Sequence, residues 1–471
     1  MILSASWVLP ITSKVICNGA VVIERDKIKD FGSMSRILNQ YPNHTVHNFP
    51  GSVILPGLVN VHSHLELTIL RGYLENLNFW DWIKRISYTK YKLLSLEDIG
   101  VSSFLGACEA IRSGITTLGD VMDLGPALDA FLESGLRGVV YQEIFSPIRS
   151  EAEKVIKNLK CKLEQHNEKI MEFDKSTSNI IKKRKSRLIL GVSPHSPYTV
   201  SPTLFSLIQN FLNVYGMPVC IHIAESIEES NFIKDGTGPI SDGLRNRGVE
   251  WTPPGCSPIQ YLEKLGLLSN QVILVHCIQL ETPDFDVLGK FKVSVAYCPK
   301  SNFKLRNGFM NLNKMVQKKI LVGLGTDSVA SNNNMDLFEE MRMAVFNPSW
   351  INSNESYDTK NGNHPHFYAQ NALEMATLGG AGALGLSDSI GSIEIGKTAD
   401  LISVDFNQAH TRPTFCPVTT LVFSSKSSDV NMTMVNGEFL FKDKRVLTMN
   451  ESKVYKEVEA IQRKLQETVS D

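Results

Sequence analysis

Two histidines, His62 and His64, follow the apolar run VILPGLVNV and are separated by a single residue. In an extended chain, residues two apart point to the same side, so both imidazoles could face one metal ion. A single His-x-His pair is weak by itself, because neutral histidine is also common inside folded proteins. The pair therefore predicts a metal site only if other parts of the chain supply further ligands.

Further ligand-type residues follow other apolar runs that are typical of buried strands. They are His195 after LILGVSP, His222 and Glu225 in PVCIHIAES, His276 at the end of VILVH, and Asp327 after VGLGT. Five of the eleven histidines thus fall at predicted strand ends, which is more than a random distribution would give. In an α/β barrel, groups at the carboxyl ends of the strands converge on one mouth. The sequence therefore predicts a metal-dependent active site.

The predicted metal ligands are His62, His64, His222 and Asp327, which offer three imidazoles and one carboxylate. This donor set suits one divalent ion with an open position for water, with zinc preferred and iron as the alternative. A bound divalent ion lowers the pKa of its water towards neutrality, and Asp327 could accept the proton. A two-metal barrel commonly needs a bridging anion such as a modified lysine, and LILGVSPHSPY contains no lysine. We therefore expect one metal.

Two further residues have the chemistry of acid–base catalysis. Glu225 stands just beyond a strand end, where a carboxylic acid could pass a proton to a substrate ring nitrogen or a leaving group. His276 could hold the attacking water by a hydrogen bond. The alternatives are a surface acid for Glu225, a satisfied core histidine for His276, and a loop residue between two proline turns for His195.

The elements that would position these residues alternate along the middle of the chain. Short apolar runs end near residues 61, 120, 143, 191, 222, 276, 297 and 327, with helix-like stretches between them that often end at glycine. Eight strand–helix repeats predict the α/β class and a (β/α)₈ TIM barrel. A doubly wound open sheet is the alternative, which is less favoured because no Gly-x-Gly-x-x-Gly fingerprint follows an early strand.

Residues 1–56 and 390–471 differ from the middle, because they consist of short β-like runs separated by turn residues. The tetrapeptide VNGE at 435–438 predicts a type I′ hairpin. We therefore expect a small β-sandwich domain formed by both chain termini. The barrel, residues 57–389, would be inserted between its two halves.

The composition and charge of the chain argue against some classes of binding partner. The formal net charge is −1 over 471 residues, which gives no electrostatic footprint for a nucleic acid or an anionic membrane. No apolar run reaches the roughly 18 residues that span a bilayer, and the first residues lack the pattern of a signal peptide. The eight scattered cysteines are typical of reduced thiols. We expect a cytoplasmic enzyme acting on a small molecule, and a homo-oligomer stays an open alternative.

Six motifs occur in the order PGLVNVHSH, HIAES, VHC, CPKSNFKL, GLGTDSVAS and GSIEIGKTADL. Together they resemble the amidohydrolase superfamily, and within it the deaminase/chlorohydrolase (ATZ/TRZ-like) branch, from about residue 15 to 445. The resemblance implies a metal-dependent barrel and hydrolysis of a C–N bond on a heteroaromatic ring. It implies the metal and acid–base roles given above. It also implies that His195 contacts a nucleoside substrate.

The choice of nucleoside depends on local motifs. S-adenosylhomocysteine deaminases place a ribose-binding glutamate about two turns beyond the tryptophan that matches Trp82, and here no acid precedes Glu97 after Trp82. The segments HSHLEL, HIAESIEESNFIKDGTGPI and PPGCSPIQYLEKLGLL look more like aminodeoxyfutalosine deaminases of the alternative menaquinone pathway. That resemblance implies removal of the 6-amino group of an adenine-type nucleoside. Glu66 would then be a candidate substrate contact or, alternatively, an acid at a helix start.

Three other functions stay open. The first is an S-adenosylhomocysteine/methylthioadenosine deaminase, and the second is a chlorohydrolase or another ring C–N hydrolase of the same branch. Glu225 favours deamination over dechlorination, because an acid assists the departure of an amine. The third is a binding barrel without catalysis, which loss of a ligand would favour, and every expected ligand is present.

Overall fold

The computed structural model describes residues 1–176, 185–350 and 368–467. Within these residues the strands form two eight-stranded sheets. One is built from the middle of the chain and the other from both ends. The two sheets correspond to the barrel and to the terminal domain that the sequence predicts.

The N-terminal segment forms half of the terminal sheet. It contains β1 (Ile2–Val8), β2 (Ile16–Glu24), β3 (Lys27–Ser33), helix α1 (Met34–Gln40) and β4 (Val46–Pro56). Strand β2 pairs antiparallel with β1 and β3, whereas β4 pairs parallel with β1. The sheet is therefore mixed, and β4 leads directly into the barrel.

Eight parallel strands follow, close to the eight predicted positions. They are β5 (Leu58–Ser63), β6 (Ile115–Met122), β7 (Arg137–Ile144), β8 (Leu188–Pro194), β9 (Val219–Ile223), β10 (Val272–His276), β11 (Ser294–Tyr297) and β12 (Leu321–Leu324). Each strand pairs with the next one in the sequence. All residues of β5 and β6 are buried, as expected for a parallel sheet covered by helices. The predicted (β/α)₈ barrel is confirmed.

Helices connect these strands and cover the barrel. They are α2 (Phe79–Tyr88), α3 (Leu96–Arg112), α4 (Ala127–Ser134), α5 (Ala152–Ser176), α6 (Pro202–Tyr215), α7 (Ile227–Asp235), α8 (Pro239–Asn246), α9 (Pro258–Lys264), α10 (Thr282–Phe291), α11 (Pro299–Lys304), α12 (Leu312–Gln317), α13 (Val329–Asn332), α14 (Leu337–Val345), α15 (Ala369–Met375) and α16 (Leu378–Ala383). Short 3₁₀ or π turns span Leu65–Leu70, Thr89–Leu93, Arg149–Glu151 and Pro348–Trp350.

Local sequence explains where several of these helices begin and end. The Ser201 side chain accepts a hydrogen bond from the backbone N–H of Leu204 and caps α6, which then begins at proline. Gly216 ends the same helix with φ of 60°, a left-handed conformation that glycine adopts without strain. No described helix has the length and apolar character needed to cross a membrane.

The first and last barrel strands are joined at their carboxyl ends. Ser63 and Asp327 form a parallel bridge, and the Asp327 N–H donates to the His62 carbonyl oxygen at 2.9 Å. The Asn60 side-chain amide donates to Thr326 Oγ1 at 2.7 Å and accepts from the Thr326 N–H at 3.0 Å. These contacts close the barrel where the predicted metal ligands lie.

The C-terminal segment completes the terminal sheet. It contains β13 (Leu401–Asp405), α17 (Pro417–Thr419), β14 (Val430–Val435), β15 (Glu438–Lys442), β16 (Arg445–Val446) and α18 (Glu451–Glu467). Strand β13 pairs with β4, so the two ends of the chain form one continuous sheet. Strands β14 and β15 form the predicted hairpin, with positive φ at Asn436 and Gly437.

The last helix packs on the barrel, although its residues lie in the segment that is predicted to form the terminal domain. Lys464 on α18 pairs with Asp98 on α3 at 2.6 Å, and Glu451 pairs with Arg112 on α3 at 2.9 Å. The predicted domain boundaries at 56/57 and 389/390 stay a proposal.

An ion pair with a buried carboxylate connects the barrel to the terminal sheet. Arg137, the first residue of β7, donates from Nε and Nη2 to the two carboxylate oxygens of Asp400 at 2.7 and 3.2 Å. Asp400 is 3% exposed and also accepts the Asn436 N–H at 2.8 Å. This carboxylate therefore connects β7 with the β14–β15 turn.

We predict that Asp400→Asn destabilises the protein, because the largely buried Arg137 keeps its charge and loses the opposing one. The expected loss of unfolding free energy is about 3 kcal/mol, read from the midpoint of urea unfolding. The matched control is Asp242→Asn, which breaks the exposed pair of Asp242 with Arg245 and should cost below about 0.5 kcal/mol. Equal shifts for the two variants would contradict the structural role of Asp400.

Candidate active site

The four predicted metal ligands meet at the carboxyl end of the barrel. The ring centroid of His62 lies 4.8 Å from that of His64 and 4.9 Å from that of His222. Asp327 Oδ1 lies 3.4 Å from His62 Nε2 and 3.6 Å from His64 Nε2. Residues that are up to 265 positions apart are thus brought within one coordination shell by strands β5, β9 and the end of β12.

The atoms of this cluster fit a divalent cation. His62 Nε2 is buried and has no hydrogen-bond partner within the described part of the chain. His222 Nδ1 donates to the His195 carbonyl oxygen at 3.1 Å, which leaves Nε2 free to ligate. Burial lowers the pKa of His64 and of His222 well below the usual value, so both rings are neutral, as metal ligands must be.

Asp327 is held as a carboxylate. Ser301 Oγ and Ser331 Oγ donate to its Oδ2 at 2.5 and 3.0 Å, and the Ser328 N–H donates to Oδ1 at 2.6 Å. Burial alone would raise its pKa, but the neighbouring rings of His62, His276 and His64 together hold the pKa well below its usual value. Asp327 has a φ of 59°, a strained conformation for a residue with a side chain, of the kind that clusters at functional sites.

Glu225 and His276 face each other beside the cluster. His276 Nε2 lies 3.5 Å from Glu225 Oε2, and Asn307 Nδ2 donates to Glu225 Oε1 at 3.1 Å. Burial raises the pKa of Glu225 well above its usual value, with a further contribution from Asp327. Burial also lowers the pKa of His276 to about 3. A protonated carboxyl beside a neutral imidazole can donate a proton to a ligand.

Neighbouring groups fix the positions of this pair. The Ala224 and Glu225 N–H groups donate to the Glu229 carboxylate at 3.0 and 2.9 Å. Asn302 Nδ2 donates to His276 Nδ1 at 3.0 Å, so the ring proton lies on Nε2, towards Glu225. Ala224 and His276 have φ values of 52° and 75°. These two bends, at the ends of β9 and β10, direct the side chains of Glu225 and His276 into the barrel mouth.

His195 lies on the other side of His222, at a ring-centroid distance of 4.9 Å. Its Nδ1 is hydrogen-bonded to Thr199 Oγ1 at 2.8 Å and lies 3.0 Å from Ser196 Oγ. Burial lowers its pKa to about 4. The neutral ring lines the cavity above the metal ligands, where it can contact a ligand through Nε2.

Glu66, the candidate substrate contact, is not among the residues that line the cavity. It is 1% exposed and stands in the first turn of the 3₁₀ segment, behind the cavity wall. Its carboxylate accepts the N–H groups of Asp123, Leu124 and Gly125 at 3.2, 3.1 and 2.8 Å. It also pairs with Lys90 Nζ at 3.2 Å. Glu66 therefore orders a loop and Lys90, and only Lys90 reaches the cavity lining.

The cavity above this cluster has a volume of about 320 Å³, which is enough for a small ligand. Its polar floor contains His64, His222 and Asp327 of the predicted metal ligands, together with Glu225 and His276. Its side wall, formed by α2 and the loop after β7, is largely apolar, with Trp82, Ile83, Ile86, Phe145 and Pro147. The cavity can therefore hold a ligand that has a polar reacting end and an apolar substituent.

Three residues of the cavity or its support are not among the residues predicted from the sequence. Lys90 and Glu143 line the cavity, and Asn302 orients His276. Glu143 stands at one of the predicted strand ends, and Asn302 lies in the motif CPKSNFKL. Both residues could therefore have been proposed as site residues from the sequence. Lys90 lies in a helical segment without a motif, and its placement depends on tertiary contacts.

Residues 53–440 match the Amidohydrolase family. The chain belongs to this family. The match confirms the resemblance given by the motifs, and together with the deaminase relatives described next it supports a hydrolase that acts on C–N bonds.

Related sequences cover nearly the whole chain. The 5-methylthioadenosine/S-adenosylhomocysteine deaminase of Halothermothrix orenii is 32% identical over 453 residues, which are 96% of this chain and 95% of that protein. The 5′-deoxyadenosine deaminase of Methanosarcina acetivorans is 32% identical over 444 residues, 93% of this chain and 92% of that protein.

Two solved structures share the fold. An adenosine deaminase from Xanthomonas campestris with bound zinc has a TM-score of 0.80 at 24% identity, covering 99% of this chain and 98% of that one. Atrazine chlorohydrolase TrzN from Arthrobacter aurescens, complexed with zinc, has a TM-score of 0.79 at 18% identity, covering 98% and 99%. At these identities the likeness concerns the fold alone.

We predict that the purified protein binds about one equivalent of zinc or iron, the stoichiometry of a mononuclear site. His62→Ala should lose most of this metal, because it removes a buried ligand atom at the centre of the cluster. Plasma mass spectrometry after dialysis measures the content. His410→Ala is the control, since His410 pairs with Asp429 away from the cluster. Two equivalents in the wild type, or unchanged metal in His62→Ala, would contradict this site.

Proposed function

We propose that this amidohydrolase removes the 6-amino group of an adenine-type nucleoside, using one divalent ion, preferably zinc. The observation that carries the proposal is the Glu225–His276 pair, which lies next to the four metal-type ligands at the floor of the cavity. The products would be the 6-oxo nucleoside and ammonia. In this reaction one water molecule adds to C6, and the bond from C6 to the amino nitrogen breaks.

The roles of the chain's own residues follow from their positions. A divalent cation held by His62, His64, His222 and Asp327 would lower the pKa of a water molecule to near neutrality. Asp327 would accept one proton of that water and pass it to the amino nitrogen as it leaves, the Nε2–H of His276 would orient the water oxygen, and the proton left on the new C6 oxygen would return to Glu225. Glu225 donates a proton to the ring nitrogen next to C6, which draws electrons away from C6 and favours attack there.

The relatives change the order of the candidate substrates. The sequence motifs favour aminodeoxyfutalosine, whereas relatives that cover more than nine-tenths of the chain act, by their names, on 5-methylthioadenosine, S-adenosylhomocysteine or 5′-deoxyadenosine. We therefore propose a 5′-deoxy or 5′-thioether adenine nucleoside as substrate. The apolar side wall with Trp82, Ile86 and Phe145 supports a small apolar 5′-substituent, such as methylthio, because such a group loses contact with water there.

The test is an ammonia-release screen with the metal-loaded enzyme. The substrates are 5′-methylthioadenosine, 5′-deoxyadenosine, S-adenosylhomocysteine, adenosine and aminodeoxyfutalosine, with atrazine as a probe of dechlorination. We expect the highest kcat/KM for 5′-methylthioadenosine or 5′-deoxyadenosine. A clear preference for aminodeoxyfutalosine would overturn the proposed substrate and support the one that the sequence motifs favour. Chloride release without ammonia release would overturn the deaminase proposal.

We predict that Glu225→Gln lowers kcat by about 10²- to 10⁴-fold, the usual contribution of a general acid. Metal content and thermal unfolding should stay close to wild type, because the amide has the same size and keeps the contact with Asn307. The exposed Glu168→Gln on α5 is the control for the same chemical change and should keep full activity. Near-normal turnover by Glu225→Gln would remove Glu225 from the mechanism.

A further inference from the structure

Glu340, on α14, is a fully buried acid outside the residues that line the cavity. Its Oε1 accepts a hydrogen bond from Asn332 Nδ2 at 2.5 Å, and its Oε2 accepts the Lys300 N–H at 3.1 Å. Asn332 is the last residue of α13, and Lys300 stands in the first turn of α11. One side chain on α14 therefore holds two short helices that follow different barrel strands, β12 and β11.

Each of these two helices carries side chains that fix a group of the site. On α11, Ser301 Oγ donates to Asp327 Oδ2 at 2.5 Å, and Asn302 Nδ2 donates to His276 Nδ1 at 3.0 Å. On α13, Ser331 Oγ donates to Asp327 Oδ2 at 3.0 Å. All three supporting residues lie within two positions of the residues that the buried acid holds.

Asn332 also connects Glu340 with the backbone beside Asp327. Its Nδ2 donates to the Thr326 carbonyl oxygen at 2.6 Å as well as to Glu340. The amide nitrogen thus stands between two acceptors, and turning the amide over would place its oxygen against another oxygen. Thr326 directly precedes Asp327, whose φ of 59° is strained. The surrounding contacts must hold such a conformation, and this hydrogen bond is one of them.

Lys300 distinguishes Glu340 from the neighbouring acid on the same helix. Its backbone N–H is held by Glu340, whereas its Nζ pairs with Glu339 and lies 2.7 Å from Asn334 Oδ1. The Glu339 side chain is 39% exposed, so this outer pair is partly in water and is worth little. The inner contact, in contrast, fixes the backbone of α11.

We propose that Glu340 is a positioning residue that holds Asp327 and His276 in their working geometry together. The inference rests on the proposed deamination, in which these two groups act on the same water molecule, and it adds a residue outside the cavity on which both depend. Because one acid holds both supporting helices, a change at Glu340 displaces both groups. A displacement of about 1 Å can cost about 100-fold in rate.

The test variant is Glu340→Gln. Burial raises the pKa of Glu340 to about 8, and carboxyl oxygens keep acceptor capacity in either protonation state. The amide of glutamine has only one acceptor oxygen, so its NH₂ group would face another N–H donor. We expect kcat at saturating metal to fall about 10- to 100-fold, and the metal to dissociate about 10- to 100-fold more readily, the usual cost of losing an outer support of a metal ligand.

Two measurements separate positioning from a merely structural role. KM for the best nucleoside of the ammonia screen should stay close to wild type, because Glu340 does not line the cavity. Metal affinity is measured without substrate, by competition between the enzyme and a chelator for zinc. Unchanged kcat and metal affinity, with only a lower unfolding temperature, would make Glu340 a structural residue and overturn the proposal.

Glu339→Gln is the matched control, since it makes the same change one residue earlier and affects the same lysine. It should keep the kcat and metal affinity of the wild type, and losses equal to those of Glu340→Gln would overturn the proposal. Asn332→Ala removes one of the two connections and should lower both quantities. Because the two residues are in contact, the double variant should lose less than the product of the single losses.

The remaining outcomes also decide the question. If Glu340→Gln yields no folded protein, the same two measurements on Asn332→Ala replace it, and wild-type values there would overturn the proposal. Fully multiplicative losses in the double variant would overturn the shared connection. A wild type that deaminates no adenine nucleoside would overturn the proposed function, whereas the metal measurement, which needs no substrate, would still show whether Glu340 positions Asp327.

Discussion

Closure of the barrel between β5 and β12 is the constraint on which the site depends. The bridge between Ser63 and Asp327, with the side-chain bonds of Asn60 to Thr326, brings the first and last strands together. Only then do His62 and Asp327, which lie at opposite ends of the barrel sequence, come within 3.4 Å of each other. The cost of holding Asp327 at a positive φ is offset by hydrogen bonds from three serines.

The surroundings of the two acidic groups of the site shift their pKa values in opposite directions. Asp327 is surrounded by imidazoles, which hold its pKa well below the usual value despite burial. Glu225 lies in the same mouth without a cationic partner among the described residues, so burial raises its pKa. Two carboxylates in one site thus have environments suited to a base and to an acid. This separation is a common physical sign of general acid–base chemistry.

Polar contacts outside the site keep these environments in place. Glu229 holds the turn that carries Glu225, and Glu66 holds the loop after β6 together with Lys90. The Arg137–Asp400 pair fixes the start of β7 against the terminal sheet. Glu143, further along β7, is thereby held at the cavity wall. The terminal sheet thus contributes to the site through the strands that it positions.

The sequence by itself determined the class of fold, the family and the types of residue in the site. Strand and helix periodicity is local, and the carboxyl ends of barrel strands always converge, so His62, His64, His222 and Asp327 could be grouped without coordinates. Their predicted roles, like those of Glu225 and His276, rest on that grouping. The structure decided what depends on contacts between distant segments. Glu66 is drawn behind the wall by Lys90 and three backbone N–H groups, whereas Glu143 faces the cavity without a partner among the described residues. Both are acids beside apolar runs in the sequence, and only tertiary packing determines which one finds its hydrogen bonds within the protein.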